Sequence, residues 1–353
     1  MKRRAFLIST IGTIIGASTL TSCRSSAQRK PSNQLNIYSW ADYLHPETIP
    51  EFERRYGISV VYDTFASNEA LLAKLQAGAT AYDIIVPTSY MIKQLRKLGK
   101  LTGLDHDRIP NLKNIMSRFQ NPKFDPNLEH SIPYTWGTTG IAFNSESVLK
   151  RDWPINTDIF WNKNYGHRMT LLDDARETIG MALKRNGESF NCIDERQIGM
   201  AVTELIVQKP LTMCYTSDQV IVQLASGDSW LSLVYSGDAY QAQRENKNVK
   251  YVIPENGTSI WLDNMCIPTG APHRENAYKW INFMLEPEIA AATASYTRYA
   301  TPNQLAFKLL PTDVTSDQNL YPPPPVMAKC EELGDIGSGI FTYDRMWTEL
   351  KCT

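Results

Sequence analysis

The chain reads as an α/β protein made of two successive α/β units, each a mainly parallel sheet flanked by helices. Three observations predict this. Strand-like and helix-like periodicities alternate along the body, glycines punctuate the predicted helix ends, and the alternation pauses once before resuming. At 353 residues, with 42% hydrophobic and 21% charged side chains, the chain can bury the cores of two domains or one large one. That composition excludes a disordered or collagen-like chain.

Ahead of the body, Lys2, Arg3 and Arg4 precede an uncharged, largely apolar run from Ala5 to Leu20, followed by Thr21-Ser22-Cys23. Residues 1–22 therefore read as an export signal. The run is short for a membrane span, which needs about 20 predominantly apolar residues. The small residues before Cys23 resemble a bacterial lipoprotein cleavage box, making Cys23 the expected lipidation site, and Arg3-Arg4-Ala5-Phe6-Leu7 also resembles a twin-arginine signal. The alternative is an uncleaved anchor with Cys23 unmodified; either version places the body outside the cytoplasm. Residues 24–34 are a polar tether with nothing to bury.

Elements follow in order. A strand at 35–39 precedes a helix at 46–56, stopped by Gly57, and a strand at 58–65. Ser67 caps a helix running to residue 77, 83–86 is a short β-branched strand, and 90–98 is a helix ending at Gly99. After a strand-like stretch at 136–143 come a strand at 169–172 and helices at 174–184, 194–208 and near 219–225. Strands at 230–235 and 261–267 and a helix at 276–285 follow. Pro322–Pro325 reads as a stiff extended segment before a final helical stretch. Two α/β units with loops gathered at the carboxyl ends of their strands predict a cleft where a ligand binds.

The charge balance, 36 Lys+Arg against 37 Asp+Glu, gives no positive field for nucleic acid or an anionic bilayer. Without the three basic residues of the leader, 33 basic groups face 37 acidic ones, a net −4 that suits a cationic ligand without demonstrating one. Six cysteines, at 23, 192, 214, 266, 330 and 352, show no Cys-x-x-Cys spacing of a zinc or redox site. With Cys23 lipidated, five remain, and Cys192–Cys214 and Cys330–Cys352 are the expected disulfides, since Cys266 in Met265-Cys266-Ile267 reads as core. The five histidines are scattered singly, and no Gly-x-Ser-x-Gly, His-Glu-x-x-His or Walker pattern occurs. Neither an enzyme, a metal nor a cofactor is expected.

Three clusters place aromatic and acidic residues where strands give way to loops: Trp40-Ala41-Asp42-Tyr43, Asp173-Asp174-Ala175-Arg176-Glu177 and Trp261-Leu262-Asp263. An aromatic face attracts a cation by roughly 0.5–2 kcal/mol and packs on methylenes. A carboxylate adds a charge-assisted hydrogen bond to each ammonium, about 1.5–3 kcal/mol. The plainer reading of each cluster is structural: rings at a core edge, an acid capping a helix, and Asp174 and Glu177 sharing an exposed face at i, i+3.

Longer stretches carry a resemblance. Tyr38-Ser39-Trp40-Ala41-Asp42-Tyr43, Ala81-Tyr82-Asp83-Ile84-Ile85-Val86-Pro87-Thr88-Ser89-Tyr90, Ser131-Ile132-Pro133-Tyr134-Thr135-Trp136-Gly137, Leu172-Asp173-Asp174-Ala175-Arg176-Glu177 and Tyr299-Ala300-Thr301-Pro302-Asn303 resemble the periplasmic spermidine/putrescine-binding proteins of bacterial polyamine ABC transporters. The resemblance runs in one register from about residue 35 to 340. It implies a two-lobed periplasmic binding protein fold with a ligand cleft between lobes, lobe one at 33–138 plus 263–307 and lobe two at 143–258 plus 312–353. It also implies that Trp40, Tyr43, Tyr90, Tyr235, Trp261 and Tyr299 wall a polyamine stem. Asp42, Asp174, Glu177 and Asp263 would meet ammonium groups, and Thr88 would hydrogen-bond the ligand. Four positions depart from the spermidine-binding pattern: Tyr235 replaces a usual Trp, Asp42 a Glu, Ala41 a hydroxyl residue, and Leu333 an amide that cannot be mimicked by an alkyl chain.

The resemblance implies a non-enzymatic receptor that captures spermidine, putrescine or another short diamine or guanidino compound such as agmatine and presents it to a membrane permease. Its membrane contact would be the lipid anchor or leader alone. Rivals are a receptor for ferric iron ligated by tyrosines, a sensor signalling to a membrane partner, and a secreted enzyme using Asp174 and Glu177 as an acid–base pair.

Overall fold

The computed structural model describes residues 33–78 and 81–353. The export signal, Cys23 and nearly all of the tether lie outside the described residues. No helix among the described residues is long and apolar enough to cross a membrane.

Ten strands occur among the described residues, in chain order: β1 (Gln34–Ser39), β2 (Ser59–Thr64), β3 (Ile84–Ile85), β4 (Ser131–Asn144), β5 (Met169–Leu171), β6 (Thr212–Tyr215), β7 (Leu231–Tyr235), β8 (Val249–Val252), β9 (Ser259–Cys266) and β10 (Glu331–Glu332). The helices are α1 (Thr48–Tyr56), α2 (Asn68–Gln76), α3 (Ser89–Lys97), α4 (Ala175–Arg185), α5 (Glu195–Gln208), α6 (Val220–Ser226), α7 (Ser236–Glu245), α8 (Arg274–Met284), α9 (Pro287–Thr297), α10 (Gln304–Leu309), α11 (Thr312–Thr315), α12 (Pro324–Met327) and α13 (Gly339–Cys352). The sheet runs β2-β1-β3-β9-β4-β7-β5-β6, with β8 also on β4 and β10 on β9.

Two parallel triplets, β2-β1-β3 and β7-β5-β6, are joined by antiparallel β9 and β4. The expected parallel order therefore holds within each triplet but not at the centre. The reason lies in β4, whose 14 residues serve both halves. Its first part pairs with β9, from Ser131↔Cys266 to Thr138↔Ile260, and its second with β7, from Thr139↔Tyr235 to Phe143↔Leu231. Strands that pass between halves need no crossover helix and can run antiparallel.

Local signals behave as their chemistry demands. Gly57 ends α1 at φ 64°, a left-handed conformation that costs other residues more. Ser67 accepts from Ala70 N at 3.2 Å to cap α2, and Asp194 accepts from Arg196 N and Gln197 N to cap α5. Separate apolar cores form on the two halves. One buries Leu35, Ile37, Phe52, Ile84, Trp280 and Phe283; the other Phe160, Met169, Ile179, Leu183, Leu205 and Leu231. Each such side chain contributes about 1.5–3 kcal/mol, so each half has its own driving force to fold.

Two expectations fail. Pro322–Pro325 is not extended throughout, because α12 begins at Pro324, where a fixed φ suits a first helical turn. The cysteine pairs do not form: Cys192, Cys214, Cys266, Cys330 and Cys352 are all free. Cys214 Sγ faces the Gln223 amide, Cys330 Sγ donates to Val326 O at 3.4 Å, and Cys352 is exposed at the end of α13. Cys266 is buried as expected.

Candidate functional site

Parallel strands deliver side chains to one place. Trp40, Asp42 and Tyr43 follow the carboxyl end of β1, Thr88 and Tyr90 follow β3, Asp174 follows β5, and Tyr235 ends β7. Trp261 and Asp263 stand two apart on β9 and so share a face, and Tyr299 follows α9. These ten and Glu177, on α4, line a single cavity. The same cavity takes in Phe65, Asn68, Ser217, Asp218, Ile221, Asp238 and Leu333, none of them expected there except Leu333. Asp238 had a readable signal: it follows Tyr235 by three residues at a strand-to-helix junction, the same aromatic-then-acid arrangement as the other clusters.

The walls are aromatic. Trp261, 4% exposed, meets Tyr235 edge-on at 5.8 Å between centroids and Tyr299 at 5.2 Å. Tyr43 lies 5.0 Å from Tyr299, and Trp40 lies 6.4 Å from both Tyr43 and Tyr235. Trp40 is fixed by Nε1 donating to Val86 O at 2.9 Å. Two glycines permit this packing. A Cβ on Gly137, opposite Trp261 on β4, would lie 2.6 Å from the indole, and one on Gly237 would lie 2.5 Å from the Tyr299 ring. Asp42 holds φ 52°, a left-handed conformation Asp tolerates better than most residues, at the edge of the site.

Four of the acids are buried and held by neutral donors. Asp263 accepts from Thr88 Oγ1 at 2.6 Å and from the Tyr43 hydroxyl. Thr88 is itself oriented by Asn68, whose Nδ2 donates to Oγ1 at 2.9 Å while Oδ1 accepts from Thr88 N. Burial pushes the Asp263 carboxyl up to about 7 despite these two donors. Asp238 accepts from Tyr299 OH at 2.5 Å and is likewise pushed by burial to about 7. Asp174 caps α4, with Oδ1 accepting from Glu177 N at 3.0 Å and Oδ2 from Tyr235 OH at 3.4 Å. Its capping role is the structural reading come true, and it lines the cavity as well. Glu177 accepts from Ser259 Oγ at 2.6 Å; burial and then the charge of Asp174 push it to about 8.

No Lys, Arg or His is among the described residues that line the cavity. Six carboxylates face the cavity: Asp42, Asp174, Glu177, Asp218, Asp238 and Asp263. Such a space favours an organic cation that replaces the protons and water the acids would otherwise need. No group of three or more His, Cys, Asp or Glu among the described residues is arranged to hold a metal ion.

Residues 47–322 match the model of the bacterial extracellular solute-binding protein family. The chain belongs to that family. This solute-binding protein is 34% identical over 339 residues to the spermidine/putrescine-binding periplasmic protein of Salmonella typhimurium, covering 96% of this chain and 97% of that relative. It is 30% identical to the putrescine/cadaverine-binding protein of Pseudomonas aeruginosa, over 92% of this chain and 96% of that one. Among solved structures, a putative spermidine/putrescine ABC transporter protein from Listeria monocytogenes superposes with a TM-score of 0.86 at 36% identity, covering 91% of this chain and 99% of that one. The two-lobed fold expected for the chain is the fold of these neighbours.

Proposed function

We propose that this solute-binding protein is the extracytoplasmic receptor of an ABC transporter and captures a polyamine. The observation that carries the reading is a cavity lined by six carboxylates and seven aromatic rings, with no basic side chain among the described residues that line it. Ammonium groups meet Asp263 at one end and Asp174 with Glu177 at the other, while Trp40, Tyr43, Tyr90, Tyr235, Trp261 and Tyr299 pack on the methylenes. Asp42, at the edge, and Asp238 add negative charge along the stem, and Thr88 holds Asp263 in place. Lobe one spans 33–138 plus 263–307 and lobe two 143–258 plus 312–353, hinged where β4 and β9 pass between the halves. Ligand contacts with both lobes favour the closed arrangement, which a membrane permease then reads. An export signal and a lipid on Cys23 keep the protein at the outer face of the membrane, and its cargo leaves chemically unchanged.

A thermal-shift screen of the mature protein against putrescine, spermidine, cadaverine, agmatine and guanidine tests this. A ligand at about 100 times its Kd stabilises the fold by roughly 2.7 kcal/mol. Stabilisation by at least one diamine or triamine, with the amine recovered intact, is the expected result. No shift with any of them, or a tyrosine–iron absorbance band with ferric salts, would sink the reading.

A further inference from the structure

Arg176 stands on α4 between Asp174 and Glu177, is 1% exposed, and forms no ion pair with either acid or with any other described residue. A buried guanidinium left without a carboxylate is expensive. Its hydrogen bonds run to neutral acceptors: Nη1 to Gly334 O at 3.2 Å, and Nη2 to Asn191 Oδ1 at 3.0 Å and Phe190 O at 3.5 Å. Its Nε has no partner, and its guanidinium carbon lies 5.2 Å from the Tyr90 ring and 5.3 Å from the Tyr343 ring.

We propose that Arg176 is a positioning residue for cation capture: a fixed counter-charge that offsets the repulsion between Asp174 and Glu177 while leaving their remaining lone pairs for an ammonium group. The inference rests on the polyamine reading above. A guanidinium clamped onto the two carboxylates would compete with the ligand for the same lone pairs. Held instead by backbone carbonyls and ring faces, it acts through the low-dielectric interior alone. None of the other titratable groups around the pair carries a positive charge. They are Glu69 on α2, Tyr90 on α3, Tyr235 on β7 and Tyr251 on β8, with Asp344 on α13 acting on Glu69. Glu69, which accepts from Tyr90 OH at 3.1 Å, is itself pushed up to about 7 by burial and then by Asp174. The positive charge of Arg176 acts in the opposite sense on both Asp174 and Glu177.

Arg176 also anchors Gly334, next to Leu333 in the cavity wall, so deleting it confounds charge with support. Asn191→Asp separates the two. The replacement is nearly isosteric and keeps the Oδ1 that accepts from Arg176 and from Gly334 N; it gives up the Nδ2 bond to Glu332 O, and its carboxylate cancels the guanidinium charge. Calorimetric titration with putrescine and spermidine from pH 6 to 8.5 would compare the wild type, Asn191→Asp, Arg176→Gln and Arg176→Lys. In the wild type, affinity falls as pH falls and the acids take up protons. In Asn191→Asp and Arg176→Gln that fall moves up by about one pH unit, which is about tenfold weaker binding at pH 7 and a gap that narrows to about threefold by pH 8.5. Arg176→Lys, which keeps the charge, brings the profile back toward the wild type. A profile for folded Asn191→Asp superimposable on the wild type overturns the proposal, as does a loss that is equal at every pH. Failure of the wild type itself to bind either amine overturns the polyamine reading, and this proposal with it.

Discussion

The two proposed ammonium sites, one at each end of the cavity in the polyamine reading, hold negative charge by different means. Asp263 is a single carboxylate on a central strand, satisfied by two hydroxyls, and Tyr43 and Thr88 come from loops after β1 and β3. Asp174 and Glu177 are a pair on the first turn of a helix, served by a backbone N–H and two hydroxyls, with a guanidinium buried behind them. The first end depends on one residue and rigid placement. The second shares its charge between neighbours, so either can lose its charge without leaving a ligand ammonium alone. Dependence on individual carboxylates should therefore be unequal along the cavity.

The sharpest way to break that comparison is to neutralise each end in turn. Asp263→Asn keeps the shape and still accepts hydrogen bonds but leaves a buried ammonium without a counter-ion, which costs about 3–5 kcal/mol. Putrescine or spermidine binding measured by calorimetry should weaken by more than a hundredfold. Glu177→Gln leaves Asp174 in place and should cost about tenfold. Equal losses at the two ends would end the distinction. Trp261→Ala comes next: removing a buried indole costs about 3–5 kcal/mol of stability and opens a void against Tyr235 and Tyr299. Its melting temperature should fall even without ligand, whereas that of Asp263→Asn should not.

How much of this is legible in the sequence follows from which parts are local. Trp40 to Tyr43 and Asp174 are recognisable because each follows a short apolar strand, and parallel strands carry their carboxyl ends to one side, whereas Thr88, Tyr90, Tyr235 and Tyr299 are legible only through the resemblance to polyamine-binding proteins. The Ser67 and Asp194 caps are legible for the same reason, since a cap is satisfied within three residues. The antiparallel pairing of β4 with β9 is not, because it joins residues more than a hundred apart and depends on packing in both halves. The disulfide expectation fails on the same ground: sequence spacing says nothing about the separation of two Cα atoms that a bridge requires. Arg176 sits in a recognisable motif, but its hydrogen bonds to Phe190, Asn191 and Gly334 come from distant chain, and without them the side chain reads as one more surface charge.

A pH titration of the ligand-free protein sharpens the comparison further. Asp263, Asp238 and Glu177 all have folded-state values raised by burial, to about 7, 7 and 8. An acid raised in this way favours the fold most below its unfolded value, near 4, and the advantage is lost as pH climbs through the folded value. Ligand-free stability should therefore decline between pH 5 and 8, by on the order of 2–3 kcal/mol as water relaxes into the cavity. Saturating polyamine should remove most of that decline, because the ammonium groups replace the protons. Denaturant melts at pH 5.5 and 8, with and without ligand, read this directly; a ligand-free stability that rises over the interval would contradict the buried acids.

The smallest effect separates the two strategies most cleanly. Tyr43→Phe removes one of the two hydroxyls on Asp263, and both hydroxyls favour its ionised form. The change should cost about 1 kcal/mol of ligand binding, roughly fivefold, with more lost at pH 6 than at pH 8 because the carboxyl then protonates more readily. Thr88→Val should act alike, with an added loss from releasing Asn68. Ser259→Ala, which takes a hydroxyl from Glu177 at the other end, should have a smaller effect, since Asp174 and Arg176 still set the charge there. Titrations of the three variants at both pH values settle the order. If Ser259→Ala proves the most damaging, the acid pair is the more exacting end, and Asp263 is no longer the anchor.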